Sequence, residues 1–178
     1  LKDQLQFVVS EILESHESAG EVCLGIESHE VSVELLQQLE SEVASHGSQT
    51  KKLTWKAIQE VFIDLRRSKT PAELERITLA ASIADSALQS VAHMLVPGIS
   101  EEQFCLHLDH AMREMGAQDV SFPSIVAFGE NSALPHHRPS RKVLNHDEVV
   151  VIDFGALVDG YHSDMTRSFV CTDGSTSR

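Results

Sequence analysis

The dipeptide Asp159-Gly160 is the feature that most constrains the fold of this chain. Asp-Gly favours a two-residue type I′ turn, in which both central residues have a positive φ. A largely apolar segment at 149–158 precedes it and the segment at 161–169 follows it, so the turn chemistry predicts a β-hairpin. Counting outward from the turn places Val158 opposite Tyr161, and the third pair beyond them brings Gly155 opposite Asp164.

This register predicts that two carboxylates share one face of the hairpin. Asp153 lies two residues before Gly155 and therefore on the same face, which makes it the diagonal neighbour of Asp164. Diagonal partners have Cβ atoms roughly 7 to 8 Å apart, a gap that two carboxylates and a cation can fill. Gly155 has no side chain and is expected to leave room for that ion. The spacing alone also fits two solvent-facing aspartates on an ordinary hairpin.

The ligand types narrow the choice of metal. Carboxylate oxygens suit manganese, magnesium or calcium, and with added imidazole they also suit zinc, cobalt or iron. Thr166 shares the face of Asp164 by parity, and we expect it to hydrogen-bond a ligating carboxylate. His162 alternates to the opposite face and is not expected to bind the metal.

Composition excludes several classes of partner. Lys and Arg number 14 against 27 Asp and Glu, a formal charge of -13, which disfavours nucleic acid and anionic membrane surfaces. No apolar run approaches the roughly 18 residues of a membrane-spanning helix. The three cysteines form no disulfide or zinc-binding pattern and favour a reducing, cytoplasmic setting.

The first third of the chain alternates helix and strand patterns. Helical spacing of apolar residues at 3–17 and 32–43 flanks a short buried strand at 22–26, and the α/β unit continues through 53–65. One clear buried strand is too few for a complete sheet of the usual size. A change of composition at 66–70 predicts a domain boundary.

Beyond this boundary the sequence predicts two long helices and then a sheet. Thr70-Pro71-Ala72-Glu73 is a helix start signal, and the helix is expected to run to about Leu95. A second helix opens at 100–103 and ends near 115–116. Apolar, β-branched segments at 122–128 and 148–154 then predict strands. The predicted fold class is α/β (α+β).

In several motifs the chain resembles the pita-bread metallopeptidases, and within them the branch specific for Xaa-Pro bonds. The motifs are Asp-Phe-Gly at 153–155, Gly-Tyr-His-Ser-Asp-Met-Thr-Arg at 160–167, Pro-His-His-Arg-Pro at 135–139 after Asn131, and the helix entry at 69–76. The resemblance implies that residues 1–67 are the remainder of a creatinase-like amino-terminal domain. Residues 68–178 would be the first half of a pita-bread catalytic domain, with two long helices packed on an antiparallel sheet.

The resemblance also implies roles for individual residues. Asp153 would be a ligand to one metal, Asp164 would bridge two metals, and His136 would contact the substrate near the scissile bond. His137 is expected to be structural. The cofactors would be two divalent metal ions, manganese first, with cobalt, zinc and iron as alternatives. A further histidine and two glutamates, which the family supplies downstream, do not occur before Arg178, so the chain is expected to be a fragment, inactive by itself.

These implications give one main hypothesis and two rivals. The main one is a metal-dependent exopeptidase, an Xaa-Pro aminopeptidase or dipeptidase, which hydrolyses the bond before proline in a peptide substrate. Whether the full-length protein forms a homodimer is left open at this point. A non-catalytic pita-bread binding module, a pseudoenzyme, is the alternative. Metal-free, creatinase-like hydrolysis is disfavoured, because it has no need of two adjacent carboxylates.

Overall fold

The chain divides into two compact units, Leu1–Ser68 and Lys69–Arg178. The structure is a computed structural model, which describes residues 7, 9–11, 21–45, 52–172 and 175–177. Of the helix predicted at 3–17, the described residues 7 and 9–11 are helical, and the rest of that prediction lies outside the described residues.

The first unit contains a parallel strand pair. Its elements are β1 (Glu21–Ile26), α1 (Val33–Ser45), β2 (Lys52–Ala57) and α2 (Gln59–Arg67). β1 and β2 pair in parallel from Glu21↔Lys52 to Ile26↔Ala57, and the crossover between them contains α1. The sequence showed one clear buried strand here. β2 is the addition, and its described side chains at 54–57 are half-buried or exposed.

Two long helices open the second unit, as predicted. They are α3 (Pro71–Val91) and α4 (Glu101–Glu114), and a 3₁₀ turn at Ala92–Met94 carries α3 almost to the predicted end. Each begins with a capping box, formed by Thr70 with Glu73 in α3 and by Ser100 with Gln103 in α4. Within the described ranges, each helix is too short or too polar to cross a membrane.

Antiparallel strands form the rest of the second unit. They are β3 (Asp119–Val120), β4 (Ile125–Phe128), β5 (Val149–Phe154), β6 (Ala156–Val158), β7 (Tyr161–His162), β8 (Met165–Thr172) and β9 (Ser175–Ser177). One sheet has the order β3-β6-β7 and the other the order β4-β5-β8-β9. β5 and β6 follow each other through Gly155, so one extended segment contributes to both sheets.

The helices and sheets of the second unit enclose one core. Buried apolar side chains from α3 and α4 meet those of β4, β5, β6 and β8; among them are Ala84, Leu88, Phe104, Leu108, Met112, Val126, Phe128, Ile152, Phe154 and Phe169. Each Val, Leu, Ile, Met or Phe side chain that is fully buried in this core contributes about 1.5–3 kcal/mol. The predicted class, with two long helices packed on antiparallel strands, is confirmed.

The hairpin has the predicted turn and register. Asp159 and Gly160 have φ values of 47° and 79°, as a type I′ turn requires. The pairs on the turn side are Val158↔Tyr161 and Leu157↔His162, and those farther out are Phe154↔Met165 and Asp153↔Thr166. One register runs through both sets, which places Gly155 opposite Asp164.

The missing side chain of Gly155 has a different structural role from the one predicted. A Cβ atom at this position would collide with the backbone carbonyl of Ser163 and would lie 3.0 Å from Oγ of Ser121. The missing side chain therefore lets the neighbouring backbone approach closely. The expectation that Gly155 leaves room for a cation was wrong, because the backbone of Ser163, between β7 and β8, fills that space.

The tip of the hairpin is tied to the start of α3. The hydroxyl of Tyr161 donates a hydrogen bond of 3.1 Å to Oε1 of Glu73. The guanidinium of Arg76 lies 5.6 Å from the centroid of the Tyr161 ring and forms a 3.8 Å ion pair with Asp159. These contacts join the tip of the hairpin to the first turns of α3.

Candidate metal centre and substrate cleft

Three of the four predicted site residues line one cleft. The cleft has a volume of about 360 Å³ and is lined by Phe122, Pro123, Ile125, His136, His137, Arg138, Asp153 and Asp164. Asp153 and Asp164 come from the hairpin, and His136 comes from the loop before β5. The structure therefore brings together the two predicted metal ligands and the predicted substrate contact.

The fourth predicted residue, Thr166, supports the first carboxylate. It pairs directly with Asp153 across β5 and β8, and its Oγ1 donates a hydrogen bond of 2.7 Å to Oδ1 of Asp153. This bond restricts the rotation of a half-buried carboxylate and leaves Oδ2 available. Asp164, in contrast, is exposed at the cleft.

The donors in the cleft fit a divalent cation by their chemistry. Asp153 and Asp164 supply hard carboxylate oxygens, which suit manganese and similar ions. Among the residues that the structure describes, no three His, Cys, Asp or Glu side chains come together as a ready-made metal site. The fit therefore rests on two carboxylates in one cleft, one of them already oriented by Thr166.

The histidine loop, residues 134–140, supplies another side of the cleft, and its two histidines differ. His136 is exposed and lines the cleft. Nε2 of His137 lies 2.8 Å from Oε2 of Glu101, and the His137 side chain is 10% exposed. The pairing agrees with the structural role expected of His137.

Glu101 is the residue that sequence reasoning missed. It stands first in α4, where an acid is common and normally faces solvent, yet its side chain is fully buried at 0% exposure. Nothing local in the sequence distinguishes it from Glu102, whose side chain is 54% exposed. Its burial comes from the histidine loop, more than thirty residues away.

The apolar wall of the cleft is also anchored to α4. Ser124 is buried between the cleft residues Pro123 and Ile125, and its Oγ donates a hydrogen bond of 2.6 Å to Oδ1 of Asp109. Burial raises the pKa of Asp109. Burial, and next the charge of Asp109, also raise the pKa of the Cys105 thiol to about 12. Cys105 is therefore a packing residue with very little thiolate at neutral pH.

Comparison with protein families identifies the second unit. The sequence profile of metallopeptidase family M24 matches residues 75–177, which is more than half of the chain. The chain belongs to metallopeptidase family M24. Membership confirms the predicted family, and it implies divalent metal ions.

Relatives of this M24 chain include Xaa-Pro peptidases. The Xaa-Pro dipeptidase of Pyrococcus furiosus is 39% identical over 116 residues, which are 65% of this chain and 33% of the relative. The solved X-Pro aminopeptidase of Thermotoga maritima is 28% identical with a TM-score of 0.79, over 97% of this chain and 46% of that one. The solved Xaa-Pro dipeptidase of Bacillus anthracis is 30% identical with a TM-score of 0.80, over 96% of this chain and 45% of that one.

These matches cover only part of the length of each relative. The M24 chain spans about a third of the length of the curated relative and less than half of each solved one. They confirm the family and the fold. The individual roles of His136, Asp153, Asp164 and Thr166 stay predictions, as do the identities assigned to domains 1–67 and 68–178.

Proposed function

We propose that a longer protein containing this M24 chain is a metal-dependent exopeptidase that hydrolyses the peptide bond before proline. Its substrate would be an Xaa-Pro dipeptide or a longer peptide with proline in second position. The observation that carries the proposal is the shared cleft, which Asp153, Asp164 and His136 all line. The similarity to Xaa-Pro dipeptidases and an X-Pro aminopeptidase supports the choice of substrate.

Asp153 and Asp164 would hold the metal. When bound, a pair of divalent ions supplies an activated water and polarises the scissile carbonyl, and manganese is the metal expected first. The carboxylate of Asp153 is kept in one orientation by Thr166, at an Oγ1–Oδ1 distance of 2.7 Å. A ligand that is already oriented loses less conformational entropy when it coordinates.

The other cleft residues would bind the substrate. His136 would contact the peptide near the scissile bond, where its imidazole can donate or accept a hydrogen bond. Phe122, Pro123 and Ile125 present an apolar surface of the kind that a proline ring buries favourably. The hydrogen bond between Ser124 and Asp109 ties this wall to α4.

Hydrolysis assays on the longer protein test the proposal. The protein is loaded with Mn²⁺, its metal content is measured, and it is offered an Xaa-Pro dipeptide and an Xaa-Pro-Yaa tripeptide. Cleavage of the dipeptide alone indicates a dipeptidase, and release of Xaa from the tripeptide indicates an aminopeptidase. Failure to cleave either peptide with metal bound overturns the proposal.

Two variants test the assignment of the site, and a third serves as their control. Asp153→Asn and Asp164→Asn are expected to abolish hydrolysis and to lower the bound metal. Asp159→Asn removes an acid from the same hairpin outside the cleft, where it pairs with Arg76, and is expected to keep both. The 178-residue chain by itself is expected to show no turnover.

A further inference from the structure

The carboxylate of Glu101 accepts hydrogen bonds from four residues outside its own helix. Oε1 accepts from the backbone N of Phe128 at 2.8 Å and from Nδ2 of Asn131 at 2.9 Å. Oε2 accepts from the N and Oγ of Ser140 at 2.9 and 2.7 Å and lies 2.8 Å from Nε2 of His137. Both oxygens are thus fully engaged, and every contact lies at the end of β4 or around the histidine loop.

These contacts require an ionised carboxylate. Burial raises the pKa of Glu101, but the hydrogen bonds from Ser140, Asn131 and His137 outweigh burial and bring the pKa below its ordinary value. A carboxylate accepts at both oxygens, whereas a protonated acid or an amide presents a hydrogen-bearing group at one of them. After either change, the donors that contact one of the two oxygens would face another hydrogen-bond donor.

Glu101 is not needed to start α4. The capping box of this helix uses the side chains of Ser100 and Gln103. The side chain of Glu102, one residue further on, is exposed and forms a 3.8 Å ion pair with Arg141. A first-turn acid that served the helix dipole would resemble Glu102, so the burial of Glu101 serves the loop that contacts it.

The residues that contact Glu101 flank His136 along the chain. Asn131 lies before His136 in the chain and Ser140 lies after it, and both donate to the same carboxylate. His137, the immediate neighbour of His136, is held by it directly. With both flanks fixed, the exposed His136 side chain has a fixed backbone from which it reaches the cleft.

We propose that Glu101 is a positioning residue, which holds the histidine loop so that His136 meets the substrate. The inference rests on the proposed peptidase function for the role of His136. Glu101 lines no part of the cleft and acts through the loop. Misplacing a substrate-contacting group by about 1 Å can lower turnover by about a hundredfold.

A double-mutant cycle in the longer, Mn²⁺-loaded protein tests the proposal. Glu101→Gln is expected to lower kcat/KM for an Xaa-Pro peptide by about ten- to a hundredfold per metal-loaded molecule. In a His136→Ala background it is expected to cause little further loss, because the group that it positions is gone. Equal losses in both backgrounds, or no loss in either, would overturn the proposal.

Two further variants calibrate the cycle. Ser140→Ala removes the 2.7 Å hydrogen bond to Oε2 of Glu101, together with the 3.1 Å bond that the Ser140 hydroxyl accepts from the backbone N of Lys142. It is the milder substitution if Glu101→Gln does not fold. It is expected to cause a smaller loss that also depends on His136, and a loss independent of His136 would count against the proposal. Glu102→Gln, the matched control on the same turn, is expected to leave kcat and KM unchanged.

Amide hydrogen exchange on the 178-residue chain gives a readout that does not need activity. In Glu101→Gln the amides of Leu134 and His137, which donate to the carbonyls of Asn131 and Leu134, are expected to exchange faster, while those of α3 keep their protection. If the amides of α3 and of the histidine loop exchange faster by the same factor, Glu101 stabilises the whole fold and not the loop in particular, and the proposal is overturned. If the unaltered longer protein cleaves no Xaa-Pro peptide, the proposed function fails and exchange alone decides the inference.

Discussion

Oγ1 of Thr166 donates a 2.7 Å hydrogen bond to Oδ1 of Asp153 from the position directly opposite on the neighbouring strand. The bond follows from the hairpin register, since residues opposite each other across antiparallel strands point to the same face. It leaves the other carboxylate oxygen of Asp153 available at the cleft. A metal bound there would meet a carboxylate whose orientation is already set.

We expect Thr166→Val to weaken metal binding by about 10–100-fold, because the isosteric side chain no longer fixes the Asp153 carboxylate. Titration calorimetry with Mn²⁺ on the longer M24 protein measures the change. Thr166→Ser keeps the hydroxyl and is expected to bind nearly as well as the unaltered protein. Unchanged affinity in Thr166→Val would show that the hydrogen bond has no part in metal binding.

Gly155→Ala is expected to destabilise the fold by about 1–3 kcal/mol or more, since the added methyl group collides with the Ser163 backbone. Urea unfolding followed by circular dichroism gives the free energy. Ser168→Ala, at an exposed position of β8, is the control and is expected to change stability by less than about 0.5 kcal/mol. If the free energy of unfolding of Gly155→Ala equals that of Ser168→Ala, the hairpin accommodates the added methyl group without loss of stability.

The hairpin was predictable because its determinants are local. Asp159-Gly160 selects the turn, the turn fixes the register, and the register decides which side chains share a face. Asp153 and Thr166 were thereby placed on one surface from the sequence. The close approach of Ser163 to Gly155 was not predictable, because it depends on the path of the backbone where the segment passes from one sheet to the other.

Glu101 was not predictable for a different reason. Its burial depends on a loop that begins more than thirty residues later, and a first-turn glutamate carries no local signal of such a contact. β2 did carry a signal, since Lys52, Thr54 and Lys56 alternate with apolar residues at the period of a strand. Its polar half made it look unlike the buried strand β1.

The ionisation of Glu101 makes a prediction about pH. Because its pKa in the fold is below the ordinary 4.5, its contribution to stability is present above pH 4.5 and is lost as pH falls through the lowered pKa. Glu101→Gln is therefore expected to cost about 1–3 kcal/mol at pH 7, a difference that shrinks below pH 4.5.

Urea unfolding of both proteins between pH 3 and pH 7 measures that difference. Glu102→Gln is again the control, because its exposed carboxylate is expected to have little influence at either end of the range. A gap between Glu101→Gln and the unaltered chain that stays constant with pH would contradict the assigned ionisation.

The cysteines are expected to differ in reactivity. With a pKa of about 12, the Cys105 thiol is almost wholly protonated at pH 8, whereas Cys23 is exposed. Brief alkylation of the native chain followed by mass spectrometry should label Cys23 and spare Cys105. Asp109→Asn removes a carboxylate that raises this pKa and should speed the labelling of Cys105. Equal labelling of both thiols in the unaltered chain would contradict the burial of Cys105.

The central claim is that Asp153 and Asp164 bind a cation together, and the 178-residue chain itself allows the most direct test. Mn²⁺ broadens the NMR signals of nearby amides even when it binds weakly, as an incomplete ligand set would. We predict that Mn²⁺ first broadens the amides around residues 136, 153 and 164. Asp153→Asn with Asp164→Asn should abolish this broadening, and Asp159→Asn should not. Broadening spread over the acidic helix faces and unchanged in the double variant would contradict the claim.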